Sequence, residues 1–143
     1  MRARLVGCEI TYKDDSFYAS TPPLEAKRML FSDFATRRKD SKGRWLKISF
    51  IDVVKAYFNA LPKRNICVRL PKEMGMRNGI YGKLVRCMYG TRDAAHLWEN
   101  CYSDALIAIG FVAGKASPCC FYHPIWEVSV VVHGDYFTAV GCD

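Results

Sequence analysis

The sequence lacks the long apolar run that a membrane-spanning helix requires. Nothing in its 143 residues approaches the roughly 18 to 20 consecutive apolar positions needed to cross a bilayer. The apolar part of the first six residues is also too short for the hydrophobic region of a secretory signal. No internal repeat or low-complexity tract is present. These absences predict one soluble domain that lies inside the cell, in the cytoplasm or the nucleus, and has no membrane partner.

The sequence also lacks the cysteine pattern of a zinc site or a disulfide framework. It contains seven cysteines, an odd number, and no Cys-x-x-Cys pair. The adjacent Cys119 and Cys120 would point to opposite faces of a strand. We therefore expect seven reduced thiols, most of them packed as small hydrophobic side chains.

The composition is that of a packed and basic protein. Hydrophobic residues make up 50% of the chain and aromatic residues 13%, which argues against a disordered tail. Lys and Arg outnumber Asp and Glu by 21 to 14, so the formal charge is +7. A surplus of this size favours polyanionic partners such as nucleic acid. Many basic proteins never bind nucleic acid, so charge alone leaves both possibilities open.

Apolar periodicity predicts two helices. The first begins at Thr21-Pro22-Pro23, where Thr21 is the expected cap, and continues to about residue 38. The second spans residues 92–109, between a cap at Thr91 and a stop at Gly110. The positions expected on their apolar faces are 26, 30 and 34 in the first helix and 94, 97, 98, 101, 105 and 109 in the second.

Alternating and β-branched segments predict the strands. They cover residues 45–51, 66–70, 84–88 and 119–123, followed by a hairpin whose arms, 128–133 and 137–140, flank Gly134-Asp135-Tyr136. The order is a helix, strands, a second helix and a hairpin. This order predicts an α+β fold in which an antiparallel sheet carries helices on one face.

Two aspartates stand where carboxylates could converge. Asp52 ends an apolar strand, and Asp135 lies at the tip of the hairpin. If the two strands are neighbours, the carboxylates meet at one edge of the sheet, and a shared cation such as Mg²⁺ relieves their repulsion. Aspartate is also common in turns and at strand ends without any such role. The spacing leaves both interpretations open.

Four segments resemble, in order and spacing, the reverse transcriptase of copia-type long-terminal-repeat retrotransposons. Residues 51–59, Ile-Asp-Val-Val-Lys-Ala-Tyr-Phe-Asn, resemble its first catalytic motif. Residues 88–98 resemble its Leu-Tyr-Gly-Leu-Lys-Gln-Ala-Pro-Arg-Ala-Trp segment, and residues 110–121 its Gly-Phe and Asp-Pro-Cys-Leu-Phe stretch. Residues 132–136, Val-His-Gly-Asp-Tyr, occupy the place of its Tyr-Val-Asp-Asp box. The resemblance extends from about residue 2 to residue 141 and implies a polymerase palm with part of the fingers.

The resemblance implies a two-metal nucleotidyl-transfer site. Asp52 and Asp135 match the catalytic, metal-binding aspartates, which would hold two Mg²⁺ or Mn²⁺ ions. Its partners would be an RNA template, a DNA primer and deoxynucleoside triphosphates. The family's fingers also hold the triphosphate with basic residues, which here would be Arg2 or Arg4.

The same resemblance implies a nucleotide-binding set made of Val53, Tyr57, Tyr89 and Gly90. The Tyr57 ring would lie beneath the incoming sugar and exclude a ribose 2′-hydroxyl. Taken without the family, Tyr57 and Tyr89 read as ordinary half-buried aromatic residues. Other residues near these motifs have structural expectations: Trp98 in the core and His133 in a structural role on a strand. The basic run 37–39 is expected at a solvated helix end, with contact to the template as the alternative.

The sequence departs from the family pattern at one catalytic position. Tyr136 stands where the family has its third aspartate. A tyrosine phenol is protonated at neutral pH and is a poor magnesium ligand. The family's Gln-Ala-Pro has also become Asp93-Ala94-Ala95, a milder change at a helix start. Polymerase activity is therefore expected to be severely reduced or absent.

The resemblance also sets the expected domain organisation. It places residues 1–44 in a remnant of the fingers and 45–143 in the palm, without the thumb and RNase H domain of the family's enzyme. Two other functions remain open from the sequence. The chain could be a non-catalytic basic protein that binds nucleic acid, or a decayed relic with no function.

Overall fold

The fold is a single antiparallel sheet with two helices and a small separate hairpin. A computed structural model of the chain describes residues 5–9, 17–75 and 79–142. The main sheet has five strands in the order β1-β7-β6-β5-β4, and β2 and β3 form the second, two-stranded sheet. In chain order the elements are α1 (Leu24–Arg37), β1 (Lys47–Asp52), β2 (Cys67–Arg69), β3 (Tyr81–Lys83), α2 (Ala94–Ala108), β4 (Val112–Ala113), β5 (Cys120–His123), β6 (Val128–His133) and β7 (Tyr136–Gly141).

The two helices lie on opposite faces of the main sheet. Val130 and Val132 of β6 pack into the larger core, which contains α2. Val131, between them, packs with Leu30 of α1 in the smaller core. Because successive strand residues point to opposite faces, α1 and α2 cover different sides of the sheet. The α+β class is thus confirmed, whereas the expectation that the helices share one face is wrong. An apolar run on β6 that does not alternate is typical of a strand covered on both faces.

Aromatic rings dominate the larger core. Trp98 and Tyr102 of α2 pack edge to face at 5.5 Å, and Tyr102 packs in the same way on Phe137 of β7 at 5.5 Å. Edge-to-face pairs add to the stabilisation that burial of the rings provides. The predicted apolar face of α2 is correct at its first half, but Ile109 is 54% exposed and Tyr102 is the buried residue that the pattern missed.

Several predicted element ends differ from the structure. Helix α1 begins after Pro23 with no side-chain cap, so Thr21 does not cap it. Thr91 does not cap α2 either, because its hydroxyl donates to the Met88 carbonyl at 2.9 Å and the residue preceding α2 is Asp93. The third predicted strand, residues 84–88, lies just after β3 and is not a strand. Gly110 does end the second helix, with φ of 101°.

Some sequence expectations concern features outside the main sheet. Arg2 and Arg4 lie outside the described residues. All seven cysteines lie within them as unpaired thiols, of which Cys87 and Cys119 are buried. No helix in the described ranges is long and apolar enough to cross a membrane.

An ionic cluster ties the N-terminal segment to the start of α2. Arg64 donates to both carboxylate oxygens of Glu9, at 2.7 and 2.6 Å, and to Asp93 at 2.9 Å. Arg92 reaches Glu9 through its backbone and its side chain, at 3.0 and 3.1 Å. The Phe17 ring lies beside both guanidinium groups, at 5.6 Å from Arg64 and 5.3 Å from Arg92. Asp93, 2% exposed, therefore has a buried ion-pairing role that its position at a helix start did not reveal.

The ionic cluster makes the free energy of unfolding depend on pH in the acidic range. The side-chain hydrogen bond from Arg64 lowers the pKa of Glu9 from 4.5 to about 2. A depressed folded-state pKa contributes stability above the unfolded value, so this contribution should be lost as the pH falls from about 4.5 to about 2. We expect Glu9→Gln to lower stability at pH 7 and to reduce the further loss over that interval, as measured by urea unfolding at several pH values. A Glu9→Gln variant that loses stability with acid as steeply as the wild type would contradict this.

Candidate functional site

The site is built where β1 and the β6–β7 hairpin end together. Strands β1 and β7 pair in antiparallel register, which places Asp52 opposite Tyr136. The turn between β6 and β7 consists of Gly134 and Asp135, and the φ of 64° at Gly134 is a conformation suited to glycine. Asp52 is exposed and Asp135 half-buried. Asp52, the last residue of β1, and Asp135, in the turn before β7, therefore lie at the same end of the β1–β7 pair, and the condition that the two segments are neighbours is met.

Backbone contacts fix the turn that carries Asp135. The Val53 N–H donates to the Asp135 carbonyl at 2.9 Å, so the connection between the two chain segments continues one residue beyond β1. From the opposite side, Trp98 Nε1–H donates to the Gly134 carbonyl at 2.9 Å. Trp98 is 6% exposed, as its predicted place in the core required. The turn is thus held by both the strand and helix α2.

Tyr57 and Tyr89 form a stacked pair close to this turn. A 3₁₀ helix at Ala56–Asn59 follows β1, and its first residue, Ala56, is completely buried and anchors it. The Tyr57 ring stacks on Tyr89 with centroids 4.3 Å apart and planes at 23°. Burial raises the pKa of Tyr57, and the neighbouring Tyr89 and Asp135 raise it further. Tyr57 lies in the 3₁₀ helix that follows β1 and stacks on Tyr89, so the structure brings these two motif residues together.

The Tyr89–Gly90 segment is covered by the N-terminal residues. The Gly7 N–H donates to the Tyr89 carbonyl at 2.6 Å. Gly90 has φ of 90°, and a Cβ there would lie 1.9 Å from the Gly7 carbonyl oxygen. Only glycine fits this close backbone approach. The close packing against Gly7 therefore requires glycine at position 90 whether or not the segment binds a nucleotide.

The structure is compatible with both interpretations of Tyr57 and Tyr89, as ordinary packed aromatic residues and as part of a nucleotide pocket. Tyr57 and Tyr89 are half-buried and contact one another, as ordinary packed aromatic residues do. They also border the end of the sheet that carries Asp135, as a nucleotide pocket would require.

Two polar side chains on the α1 side of this end of the sheet make a contact that the sequence did not predict. His133 pairs with Tyr136 across the hairpin, and its Nδ1 lies 3.2 Å from Lys27 Nζ of α1. His133 is an exposed strand residue, as expected. Because Lys27 and His133 are 106 positions apart, only the docking of α1 on this face reveals the contact.

The donor set of the site consists of two carboxylates and a phenol. In the part of the chain that the structure describes, no three His, Cys, Asp or Glu side chains form a group that could hold a metal ion. Mg²⁺ is commonly bound by one or two protein carboxylates together with substrate phosphates. At this end of the sheet the register sets Asp52 opposite the uncharged side chain of Tyr136, with Asp135 next to it in the turn.

Neither a protein-family model nor a solved structure matches the chain.

Proposed function

We propose that the chain is the fingers and palm portion of a copia-type retrotransposon reverse transcriptase, an RNA-directed DNA polymerase with an impaired catalytic site. Four motif segments in the family's order support this proposal. The geometry adds support, because segments far apart in sequence meet at one end of one sheet. The α+β class and the antiparallel sheet are compatible with a polymerase palm.

The observation that carries the proposal is the register between β1 and β7. It sets Asp52 directly opposite position 136, with Asp135 in the adjoining turn. Three acidic side chains at these positions would surround a divalent cation from two strands and a turn. In the site as it stands, Asp52 and Asp135 would bind the cation and Tyr136 would not. The cation, when bound, would supply charge stabilisation for phosphoryl transfer.

The remaining motif residues would bind the nucleotide. Val53 follows Asp52 and its backbone is tied to the hairpin turn. The Tyr57–Tyr89 pair borders the same end of the sheet. Through this arrangement the Tyr57 ring would lie beneath the incoming sugar and favour a deoxyribose over a ribose. Lys27 lies on the α1 side, where its ammonium group would carry positive charge towards a triphosphate.

Primer extension tests the proposal. We expect Tyr136→Asp to extend a DNA primer on an RNA template with Mn²⁺ or Mg²⁺, at high protein concentration, while the wild type extends it at least 100-fold more slowly. This magnitude is of the order seen when one charge-stabilising group is lost from an active site, about 10²–10³. Tyr136→Phe serves as the control that changes the phenol without adding a carboxylate.

A second substitution makes the extension assay specific. Asp52→Asn in the Tyr136→Asp background should abolish the extension that Tyr136→Asp restores. Equal extension by the wild type and Tyr136→Asp would show that Tyr136 does not disable the site. If no variant extended primers while single-stranded nucleic acid still bound without metal and regardless of Asp52→Asn, the non-catalytic binding protein would be favoured instead.

A further inference from the structure

A second surface lies at the end of the sheet opposite to the two aspartates. Lys47, the first residue of β1, pairs with Gly141 at the end of β7. A Cβ at Gly141 would touch Val128 at 2.6 Å, so the first residue of β6 lies beside this pair. Trp45 and Trp126 each precede a strand by two residues, β1 and β6 respectively. Trp45 and Trp126 therefore both lie in the chain at this same end of the sheet.

Each of these tryptophans is backed on one side and exposed on the other. Lys39 Nζ lies 4.7 Å from the centre of the Trp45 ring, which is nevertheless 64% exposed. Trp126 is 50% exposed and stacks on His123 at 3.9 Å with planes at 8°.

His123 is itself fixed, because its Nδ1 accepts the Trp126 N–H at 3.1 Å and its Nε2 lies 3.0 Å from the Ile109 carbonyl oxygen. His123 thus covers one face of the Trp126 ring, while much of each indole remains open to solvent.

The surface around the tryptophans is strongly basic. Residues 37–47 contain six basic side chains and one acidic side chain, Asp40. The Asp40 carboxylate forms an ion pair with Arg44 at 2.7 Å. Arg44 also lines a cavity of about 320 Å³ together with Trp126. The other nearby carboxylate, Glu127, accepts hydrogen bonds from Ser41, which lower its pKa. Among the residues that the structure describes here, Asp40 and Glu127 are thus both engaged, and the basic residues Arg38, Lys39 and Lys42 are all exposed.

We propose that this end of the sheet, the Trp45–Trp126 surface, binds a single strand of nucleic acid. Unpaired bases would stack on the open indole faces, and Arg38, Lys39 and Lys42 would neutralise phosphates. A basic or apolar partner would gain nothing from the positive charge of this surface. In a duplex the base faces are stacked on one another, so they could not stack on the indole rings. The inference goes beyond the proposed polymerase function, because the surface is separate from the end of the sheet that carries Asp52 and Asp135.

Binding of labelled oligonucleotides tests the surface. Fluorescence anisotropy would follow 20-nucleotide oligo(dT) and oligo(U) bound by the full chain without divalent cation, with a duplex of the same length as competitor. We expect Trp45→Ala to weaken single-strand binding about fivefold or more. Lys39→Gln with Lys42→Gln should reduce the slope of log K against log salt by about 0.7 for each charge.

Control substitutions on another part of the protein distinguish binding at the Trp45–Trp126 surface from general electrostatic attraction. Tyr81 is 63% exposed on β3, and Lys72 and Lys83 are exposed basic residues of the same region. Tyr81→Ala should leave the affinity unchanged, and Lys72→Gln with Lys83→Gln should have a smaller effect than the Lys39 and Lys42 pair. Equal effects from the two sets, tighter binding of the duplex, or unchanged binding by Trp45→Ala would overturn the proposal.

The two proposals fail independently. Asp52→Asn and Tyr136→Asp should leave this metal-free binding unchanged, since both positions lie at the other end of β1 and β7. A failure of primer extension would therefore leave the binding result intact. Binding that requires Mn²⁺ and is weakened by Asp52→Asn in its presence would overturn the Trp45–Trp126 surface and place single-strand binding at the polymerase site.

Discussion

Replacing Arg64 with methionine is expected to lower the free energy of unfolding by about 3–5 kcal/mol, the range found when a buried ion pair loses one partner. Arg64 is the cation that Glu9 and Asp93 share, at 2.6 and 2.9 Å. The Asp93 side chain is only 3% exposed, so without Arg64 a carboxylate would be buried without its partner. Methionine retains most of the apolar stem and removes the charge. Urea unfolding followed by circular dichroism measures the difference.

Two further variants identify the cause of this loss. Arg37→Met removes a similar side chain whose nearer partner, Asp33, is 45% exposed and whose other partner, Glu127, lies 3.9 Å away. It should cost less than about 1 kcal/mol, as surface pairs do. Asp93→Asn added to Arg64→Met should recover part of the lost stability, because the stranded charge is gone. If Arg64→Met cost no more than Arg37→Met, the ionic cluster would not be what ties the N-terminal segment to α2.

Gly90→Ala is expected to destabilise the protein by about 3 kcal/mol or more, from left-handed strain of about 1–2 kcal/mol and a backbone clash. The new Cβ would lie 1.9 Å from the Gly7 oxygen, so the segment at residues 5–9 would have to move. That movement would also disturb the contact of Glu9 with Arg64. The measurement is again urea unfolding, with the wild type measured in parallel.

Gly43→Ala is the matched control for this strain. Gly43 has φ of 79°, close to the 90° of Gly90, but a Cβ there meets nothing within 4 Å. Its substitution should show the cost of the backbone conformation alone. The excess loss in Gly90→Ala then measures the clash with Gly7. Equal losses in the two variants would mean that the N-terminal segment does not pack on Gly90.

The local parts of the fold could be predicted from the sequence because they depend on neighbouring residues. The valine-rich strand and its Gly-Asp turn predict the β6–β7 hairpin, and the pattern around Trp98 predicts most of α2. The convergence of Asp52 and Asp135 was also predicted, although only on the condition that their strands are neighbours. The register of β1 with β7 meets that condition.

The missed features depend on contacts between distant segments. The ion pair between Arg64 and Glu9 joins residues 55 positions apart, and no local pattern indicates it. The stacking of Tyr57 on Tyr89 also joins two separate segments of the chain. One error had a visible cause, since the continuous valine run of β6 already indicated that both faces of the sheet are covered. The prediction that Thr91 caps α2 was wrong because its hydroxyl donates to the preceding Met88 carbonyl.

Titration with Mn²⁺, followed by the electron paramagnetic resonance of the free ion, tests most directly whether Asp52, Asp135 and position 136 form one cation site. The account predicts weak binding by the wild type and by Tyr136→Phe. Tyr136→Asp should bind at least about tenfold more tightly, because it adds a third carboxylate to the site. Asp52→Asn in that background should cancel the gain. Equal affinities of Tyr136→Asp and the wild type, or a gain that persists without Asp52, would contradict the account.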